Sequence, residues 1–544
     1  MQFNLIDEQW IPIKRRDGTS GMIAPWEVTD KFFENPVVAL NAPRPDFNGA
    51  LIQFIIGLVQ TTAAQVNRIE WKQKLVNPPS QAILKARFLS VHDSFELGDG
   101  QKRFMQDYEV LECKPKPIEW ILISAPTENT LGENRDHFIK RNSVNNICPP
   151  CCSAALFTLQ TNAPMGGPGF RTSIRGGGPL TTLVLGDERF DTLWQTVWLN
   201  VLEENTFNAL CNSERIAPEE RFPWLAKHKP QVTEQEIHPA QLFWAMPRRI
   251  RLNLDELKTD KCDVCGIESS RLITSYREVN RGTKYLAPVK HHLSPYDNRK
   301  GKGVLVQAGS IGYRHWLGFV QPDRHKTINP AVVVHEYVNN RQQGDWQFRL
   351  WAFGYDMESM KAQCWYEAKI PLISVNQSIR SAFEDCVAGV IKTASKVAEN
   401  LRIAIKNSLH GIPKFDPTTK SVTWTYKDIK KLPRDEDKRR AKILYETNAK
   451  TVFMTAESFF WQNTEPQFYT IAEELKNALI SGEDGLSSRA TWHENLCREA
   501  RRVFDLQVWE GPIEDGDPKR IAIARKELEK FNGSKTIKKM LGLL

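Results

Sequence analysis

Two Cys-x-x-Cys pairs are the residues whose types and spacing most clearly indicate chemistry in this sequence. Cys148 and Cys151 form the first pair, and Cys262 and Cys265 form the second. A Cys-x-x-Cys turn can place two thiolates on one metal ion, so two such turns complete a tetrahedron of four sulfur ligands. Because four thiolates leave no position open for water, the sequence predicts a structural zinc site rather than a catalytic one. Unrelated free thiols are the alternative.

A glycine-rich segment follows the first cysteine pair. This glycine segment runs from Pro164 to Pro179 and also contains Phe170, Arg171 and Arg175. Glycine lets backbone approach a ligand closely, and the arginines are expected to supply positive charge. Backbone groups can contact a DNA minor groove, which is too narrow for bulky side chains. The spacing fits neither a Walker A loop nor a dinucleotide fingerprint, so the segment is a candidate nucleic-acid loop. A plain structural turn is the alternative.

Two further segments carry residue types that bind nucleic acids. In 135–141, Phe138 could stack on a base while Lys140 and Arg141 lie near phosphate. Between Arg271 and Gly303 the chain has eight Lys or Arg residues and only two acidic ones. Solvated surface is the alternative for both segments.

Composition limits the class of protein. The chain has 544 residues, of which 41% are hydrophobic, and a formal net charge of +8, which suits a polyanionic partner. Ten cysteines are too few for a disulfide scaffold, and the N-terminus lacks the features of a signal peptide. We therefore expect a cytoplasmic protein without a transmembrane segment.

Residues 1–373 are predicted to form a large α+β domain that contains the zinc site. Short β-like runs alternate there with few helices and many Gly and Pro breaks. One helix is predicted over Asn48–Gln65, where apolar residues recur at helical spacing. The predicted strands are Phe3–Ile13, Glu119–Ser124, Leu180–Leu185, Gly303–Gln307 and Ala331–Val334.

Residues 374–544 are predicted to form a C-terminal four-helix bundle. Apolar residues recur there every three or four positions, and Pro- or Gly-containing loops separate the helical patterns. The predicted helices are Ile379–Leu409, Asp435–Gln462, Leu486–Phe504 and Pro518–Phe531.

Recognised catalytic motifs are missing from the sequence. It contains no Walker motif, no G-x-S-x-G elbow and no H-E-x-x-H pattern. The nearest enzymatic alternative is an HNH-type metal-dependent nuclease, in which Cys262, Cys265, His291, His292 and Asn298 would surround a catalytic metal.

Taken in order, these motifs resemble the large subunit of the type I-E CRISPR Cascade surveillance complex, the CasA family. The resemblance rests on Asn4–Pro12, Phe138–Lys140, the cysteine pair that begins at Cys148, Asn162–Thr182 and Gly354–Met357. The second cysteine pair and the terminal helices follow in the family's order, so the resemblance covers nearly the whole chain.

The resemblance implies a non-catalytic DNA-recognition subunit. Such subunits recognise the protospacer-adjacent motif in double-stranded DNA, promote strand separation and R-loop formation, and recruit a helicase-nuclease in antiviral defence. Pairing with the guide CRISPR RNA reads the remaining sequence. The implied partners are guide RNA, target DNA, other Cascade subunits and the helicase-nuclease, with no membrane. A purely structural ribonucleoprotein scaffold is a further alternative.

The resemblance also implies which residues bind DNA or RNA. The family's minor-groove lysine falls near Arg281 and Lys284, and its glutamine wedge falls near Ser359, where no glutamine stands. Met165 and Pro168 replace expected glycines. The complete set is Phe138, Ile139, Lys140, Met165, Gly166, Gly167, Pro168, Gly169, Arg281, Lys284, Met357, Ser359, Met360 and Lys361.

Overall fold

In this computed structural model the chain forms two units, each defined by its own internal contacts. The first comprises Met1–Ala308 and Thr327–Leu372, and the second comprises Gly309–Lys326 and Ile373–Leu544. The structure describes residues 1–64, 66–98, 100–125, 143–167, 169–211, 214, 217–286, 289–306, 311–322, 327–342, 346–358, 361–373, 375–410, 450–509 and 518–544.

All the strands of the described residues belong to the first unit, where they form several small sheets. The sheet orders are β2-β1-β3, β4-β10-β7, β11-β6, β13-β12-β14, β16-β15-β5 and β8-β9. The strands are β1 (Ile11–Arg15), β2 (Ser20–Ile23), β3 (Val37–Leu40), β4 (Lys116–Pro117), β5 (Thr181–Leu185), β6 (Gln231–Val232), β7 (Arg249–Leu252), β8 (Lys258–Lys261), β9 (Glu268–Leu272), β10 (Ser275–Val279), β11 (Lys284–Tyr285), β12 (Tyr296–Asp297), β13 (Lys302–Gly303), β14 (Ile328–Asn329), β15 (Arg349–Glu358) and β16 (Lys361–Pro371).

The α-helices of the described residues lie in both units. Those of the first unit are α1 (Pro45–Thr62), α2 (Arg68–Val76), α3 (Gln81–Leu89), α4 (Pro149–Asn162), α5 (Leu193–Leu199), α6 (Glu204–Asn208), α7 (Pro218–Arg221), α8 (Gln241–Trp244) and α10 (Val332–Glu336). Those of the second unit are α9 (Trp316–Phe319), α11 (Arg380–His410), α12 (Lys450–Ile480), α13 (Leu486–Val508), α14 (Pro518–Asn532) and α15 (Lys535–Met540).

Helix α1 lies in the core of the first unit. It begins at Pro45, which suits the first helical position because that residue's N–H would have no partner in any case. Nearly all of its side chains are buried, as expected of a helix that is apolar all round. The ring of Phe54 packs edge-on against Trp10, Phe95 and Trp244. The helix predicted over Asn48–Gln65 is therefore confirmed, although it begins earlier, at Pro45, and ends earlier, at Thr62.

Only some of the predicted strands form. Leu180–Leu185 is confirmed as β5, whereas Phe3–Ile13 gives only the start of β1 and Gly303–Gln307 gives only the end of β13. Glu119–Ser124 is wrong, because Ile118–Ile121 forms a short 3-10 helix after Pro117. Ala331–Val334 is also wrong, because α10 occupies it after Pro330. Periodicity alone does not separate a short buried strand from a short buried helix.

Four long helices form a C-terminal helical region. The indole N–H of Trp492 in α13 donates to the carbonyl of Val390 in α11 at 3.1 Å. The amide of Asn400 in α11 donates to Asn532 in α14 at 2.9 Å, and Arg525 pairs with Asp505 at 2.7 Å. The predictions for α11, α13 and α14 are confirmed, while the four-helix bundle stays a prediction.

Helix α12 differs from its prediction of Asp435–Gln462. Residues 435–449 lie outside the described residues, and the helix continues to Ile480 with Pro466 inside it. A proline in a helix interior removes a hydrogen bond and normally ends the pattern, so the sequence predicted a stop too early. Within the described ranges, no helix combines the length and apolar character required to cross a membrane.

Candidate metal centre and nucleic-acid interface

The four predicted cysteines come together in the first unit. The Sγ atoms of Cys148, Cys151, Cys262 and Cys265 all lie within 4.8 Å of one another, and those of Cys148 and Cys265 are 3.7 Å apart. Zinc bonded to four thiolates requires S–S distances of about 3.8 Å. The residues present therefore fit a closed tetrahedral zinc site in which no position remains for substrate.

Two elements position these thiols. Cys148 is the N-cap of α4 and Cys151 lies in its first turn, where the positive end of the helix dipole favours thiolates. Cys262 and Cys265 form the turn between β8 and β9, and Gly266 adopts φ +75° to close it. The backbone N–H of Cys148 points at the Cys262 sulfur at 3.3 Å.

The carboxylate of Asp263 holds the second turn against the first. It accepts the backbone N–H groups of Asn145 and Asn146 at 2.6 and 2.9 Å. The next residue, Ile147, donates its backbone N–H to the Ile273 carbonyl at 3.0 Å, and Ile273 donates its own N–H to the Ile147 carbonyl at 2.9 Å. Both cysteine pairs are thus fixed by neighbouring backbone as well as by any bound ion.

The close packing of the thiols shifts their pKa values in opposite directions. Hydrogen bonds from Cys148 and Cys151 lower the pKa of Cys265 to about 7. A hydrogen bond with Cys148, reinforced by Cys262, raises the pKa of Cys151. The protonation of each thiol therefore depends on that of its neighbours. A divalent cation would stabilise all four as thiolates. Cys152 is buried outside the cluster, and burial raises its pKa.

The glycine segment starts at the opposite end of α4. This helix has 14 residues, so the cysteines and the segment are about 21 Å apart along it. The metal centre therefore does not lie at the base of the glycine segment, since α4 separates them. The segment is instead closed by backbone: Ser173 N–H donates to the Ala163 carbonyl and Gly178 N–H donates to that of Asn162.

Within the glycine segment, the residues differ in what surrounds them. Met165 is 61% exposed, and a Cβ at Gly167 would meet nothing within 4 Å. In contrast, a Cβ at Gly166 would lie 2.5 Å from Phe170. Backbone at Gly167 is therefore open to a ligand, while Gly166 is required by the segment's own packing.

The turn that holds Arg281 contacts the glycine segment directly. The Arg281 N–H donates to the Gly169 carbonyl at 2.9 Å. Arg281 adopts φ +64°, unusual for a residue with a side chain, and the residue is exposed. A Cβ on the neighbouring Gly282 would lie 1.8 Å from the Pro247 carbonyl, so this turn has no room for another residue type.

The end of the β15–β16 hairpin lies against the other end of the glycine segment. A Cβ at Gly178, which has φ +66°, would lie 2.5 Å from both Met357 Cγ and the Tyr355 carbonyl. Lys361 begins β16 and pairs with Glu358 across the hairpin. The structure thus brings Met357 to the segment that also contacts Arg281, and Lys361 lies at the end of the same hairpin.

The remaining predicted residues divide into two groups. Lys284 is exposed on β11, which pairs with β6. The others lie outside the described residues: Phe138, Ile139, Lys140, Pro168, Ser359 and Met360.

The expectation that Arg175 supplies surface charge is wrong. Its side chain is 3% exposed and donates to Gln53 at 2.7 Å, Thr181 at 3.0 Å and Ser294 at 3.2 Å. These partners are neutral, Gln53 and Ser294 lie far from Arg175 in the sequence, and burial lowers the pKa of Arg175 to about 9. Arg175 therefore ties the glycine segment to the core.

The histidines of the nuclease alternative do not join the cysteines. In the parts of the chain that the structure describes, the four cysteines form the group that could hold a metal ion. His291 donates to the Leu242 carbonyl at 2.9 Å and accepts the Leu293 N–H at 3.0 Å. His292 is fully buried, and burial lowers its pKa to about 3. The described residues therefore do not assemble an HNH site.

Arg248 and Glu278, together with Lys116, were not predicted as site residues. Arg248 Nη2 donates to the Pro164 carbonyl at 2.6 Å, and its guanidinium lies 4.7 Å from the Phe170 ring centroid. Glu278 pairs with Lys116 at 2.8 Å. Their positions far apart in the sequence gave no local pattern that could have revealed this group.

The fold and the site define a two-unit α+β protein that joins a four-cysteine centre to a glycine-rich surface. The sequence profile of the family CRISPR-associated protein Cse1 matches residues 4–503. This chain therefore belongs to the Cse1 family. The resemblance drawn from the sequence, to the large subunit of type I-E Cascade, is confirmed.

Solved structures of Cse1 proteins have the same fold. Cse1 from Acidimicrobium ferrooxidans is 15% identical with a TM-score of 0.64, covering 100% of this chain and 98% of that chain. Thermus thermophilus CasA (Cse1) is 16% identical with a TM-score of 0.62 and full coverage of both chains. A chain described as a CRISPR RNA-guided surveillance complex is 14% identical with a TM-score of 0.65, covering 98% of this chain and 100% of that one. At these identities the likeness establishes the fold alone.

Proposed function

We propose that this chain is the non-catalytic DNA-recognition subunit of a cytoplasmic CRISPR RNA-guided surveillance complex. It recognises the protospacer-adjacent motif in double-stranded DNA, promotes strand separation and R-loop formation, and recruits a helicase-nuclease in antiviral defence. Its partners are the guide RNA, the target DNA, other Cascade subunits and that helicase-nuclease. The guide RNA reads the remaining target sequence by base pairing.

One observation carries this proposal. The glycine segment, in which Met165 and Gly167 are exposed, is in direct contact with the Arg281 turn, through the Gly169 carbonyl, and with the β15–β16 hairpin, through the buried Gly178. The open backbone at Gly167 and the exposed cation of Arg281 thus belong to two segments of the first unit that are in direct contact. Backbone can approach base edges in a narrow groove, while cations bind phosphate and fix the register.

Each part of this surface has a distinct role. Met165, Gly166, Gly167, Pro168 and Gly169 present backbone to the minor groove. The cations of Arg281 and Lys284 bind the DNA backbone or the groove beside it.

Two further residue groups complete the DNA-binding surface. Met357 and Lys361, with Ser359 and Met360 between them, enter the duplex and unstack a base step. Phe138 stacks on an exposed base, with Ile139 and Lys140 beside it.

The remaining parts support this surface. Cys148, Cys151, Cys262 and Cys265 bind one structural zinc ion, which stabilises the fold and takes no part in a reaction. Residues 1–373 form the domain that recognises the motif. Residues 374–544 form a four-helix bundle that holds the displaced strand.

Substitution of Gly167 tests motif recognition. Because nothing lies within 4 Å of a Cβ there, Gly167→Leu should fold and still enter the complex, while its side chain blocks the approach of DNA. We expect the assembled complex to lose at least roughly tenfold of its preference for motif-bearing over motif-free target DNA, the loss expected when close contacts are blocked.

Gly21→Leu is the matched control, since a Cβ at Gly21 also meets nothing within 4 Å and lies on β2. It should leave the preference unchanged. If Gly167→Leu and Gly21→Leu behave alike, the glycine segment does not read the motif, and the chain is better described as a structural scaffold.

A further inference from the structure

Arg248 is a buried arginine that contacts both ends of residues 164–170. Its Nη2 donates to the Pro164 carbonyl at 2.6 Å, and its guanidinium carbon lies 4.7 Å from the centroid of the Phe170 ring. The first contact precedes Met165 and the second follows Gly169 in the sequence. One side chain therefore sets the distance between the two ends of the backbone that is open to a ligand.

The charges around Arg248 are arranged to keep it in place. Glu278 Oε1 lies 3.6 Å from its Nη1, and Lys116 pairs with the other carboxylate oxygen at 2.8 Å. Lys116 also lies 5.6 Å from the centroid of the Phe170 ring. An aromatic face attracts cations, so the ring of Phe170 is held by both. Glu278 lies on β10, three residues before Arg281, and links this group to the adjacent turn.

The backbone of Arg248 is fixed as firmly as its side chain. Its N–H donates to Gln160 Oε1 at 3.0 Å, and its carbonyl accepts Gln160 Nε2 at 3.1 Å. Gln160 lies on α4, and the preceding Pro247 carbonyl packs against Gly282 beside Arg281. Arg248 is thus in contact with the helix that leads into the glycine segment and next to the turn that closes it.

Arg248 itself is unable to bind DNA phosphate in this position. Its side chain is only 7% exposed, and its two terminal nitrogens face the Pro164 carbonyl and Glu278. A phosphate contact would require both interactions to break and the side chain to leave its buried site. Any effect of Arg248 on DNA binding must therefore act through the backbone it holds.

We infer that Arg248 is a positioning residue for motif discrimination. It presents the backbone of Gly166, Gly167 and Gly169 in one conformation, and Phe170 acts as its partner. This inference rests on the proposed function, because discrimination of a DNA motif is the property that the positioning serves.

Arg248→Met in the assembled complex tests the inference, because methionine keeps an apolar stem but removes the hydrogen bond and the charge. We expect a roughly tenfold smaller preference for motif-bearing over motif-free duplex, the size expected for loss of a charged hydrogen bond. The dependence of affinity on salt should stay unchanged, because no phosphate contact is lost. Arg248→Lys should restore part of the preference, since its ammonium keeps the charge near the ring of Phe170.

Arg341→Met is the matched control. Arg341 is a buried arginine of the same unit that pairs with Glu203 at 2.5 Å and lies 4.0 Å from the centroid of the Trp71 ring. It should leave discrimination unchanged even if it lowers the melting temperature. An equal loss of discrimination in both variants would show a general effect of destabilisation and overturn the inference, as would a weaker salt dependence in Arg248→Met or no loss at all.

Phe170→Leu decides the matter if Arg248→Met does not assemble. It removes the aromatic face and leaves Arg248 in place, so it should also reduce discrimination at unchanged salt dependence; unchanged discrimination overturns the inference.

Gly167→Leu separates the two proposals. Lost discrimination in Gly167→Leu with full discrimination in Phe170→Leu refutes only the role of Arg248, whereas full discrimination in Gly167→Leu refutes the proposed function itself.

Discussion

The backbone N–H of Arg281 donates to the carbonyl of Gly169 at 2.9 Å, and this bond joins two chain segments that both lead away from the four-cysteine centre. One segment is α4, which starts at the first cysteine pair and ends at the glycine segment. The other consists of β9 and β10, which follow the second pair and end at the Arg281 turn. The two segments are therefore joined at both ends.

Arg281→Gly should separate the charge of this residue from its backbone. Glycine adopts φ +64° freely, so we expect unchanged stability or a gain of up to about 1 kcal/mol. The loss of one cation from the proposed DNA surface should lower affinity for DNA and reduce the salt dependence by about one counterion. Titration of the assembled complex with target DNA at several salt concentrations measures both effects.

Lys31→Gly provides the control for that experiment. Lys31 is another exposed cation at positive φ, with φ +49°, and it lies outside the glycine segment and its contacts. Its replacement should leave the salt dependence unchanged. If both variants reduce the salt dependence equally, Arg281 acts only through net charge.

Removal of the metal should destabilise the protein. We expect about one zinc ion per chain by elemental analysis, and Cys262→Ser should lower that content and the free energy of unfolding by several kcal/mol, the order expected for a structural zinc site. Cys152→Ala is the control, because Cys152 is buried next to Cys151 but outside the cluster. Full zinc content in Cys262→Ser would argue against the four-sulfur site.

Gly178→Ala should destabilise the first unit. The new Cβ would lie 2.5 Å from Met357 Cγ and from the Tyr355 carbonyl, at a backbone φ of +66°. Strain and overpacking of this kind cost about 1–3 kcal/mol. Thermal unfolding of Gly178→Ala beside Gly167→Ala checks this, since the latter should unfold like the unmodified chain.

His92 should make a small contribution to stability that depends on pH. The hydrogen bonds that His92 donates to the carboxylates of Asp93 and Asp7 raise the pKa of His92. A raised folded-state pKa means that the stabilisation is complete below the unfolded pKa of about 6.5 and is lost as pH rises through the folded value. Because the His92 side chain is 33% exposed and that of Asp7 is 48% exposed, solvent weakens the pair and we expect less than about 1 kcal/mol. Comparison of His92→Asn with the unmodified chain from pH 5 to 9 should show a difference that shrinks with rising pH.

The cysteine centre could be predicted from sequence because its rule is local. The spacing within each pair fixes two ligands on one turn, and the presence of two such pairs completes the site. Helix α1 and the long C-terminal helices could be predicted for a similar reason, since their apolar periodicity extends over many residues. The short strands offered no such length, and two of them proved to be helical.

The environment of the arginines could not be predicted. Arg171 and Arg175 look alike in the glycine segment, but Arg175 is buried by Gln53 and Ser294, which lie far from it in the sequence. Arg248 is connected to Pro164 and Phe170 by folding rather than by spacing. No local pattern indicates which distant side chains will surround a charge, so the group that supports the glycine segment became visible only in the structure.

Helix α4 has a consequence for how sequences of this kind can vary in length. Insertion of a single residue into a helix rotates everything beyond it by about 100° and moves it by about 1.5 Å. In α4 such an insertion would turn the glycine segment away from Arg281 while the cysteines stayed in place. The glycine segment can therefore vary in composition at open positions such as Gly167, whereas the number of residues between Cys151 and Pro164 should tolerate neither insertion nor deletion.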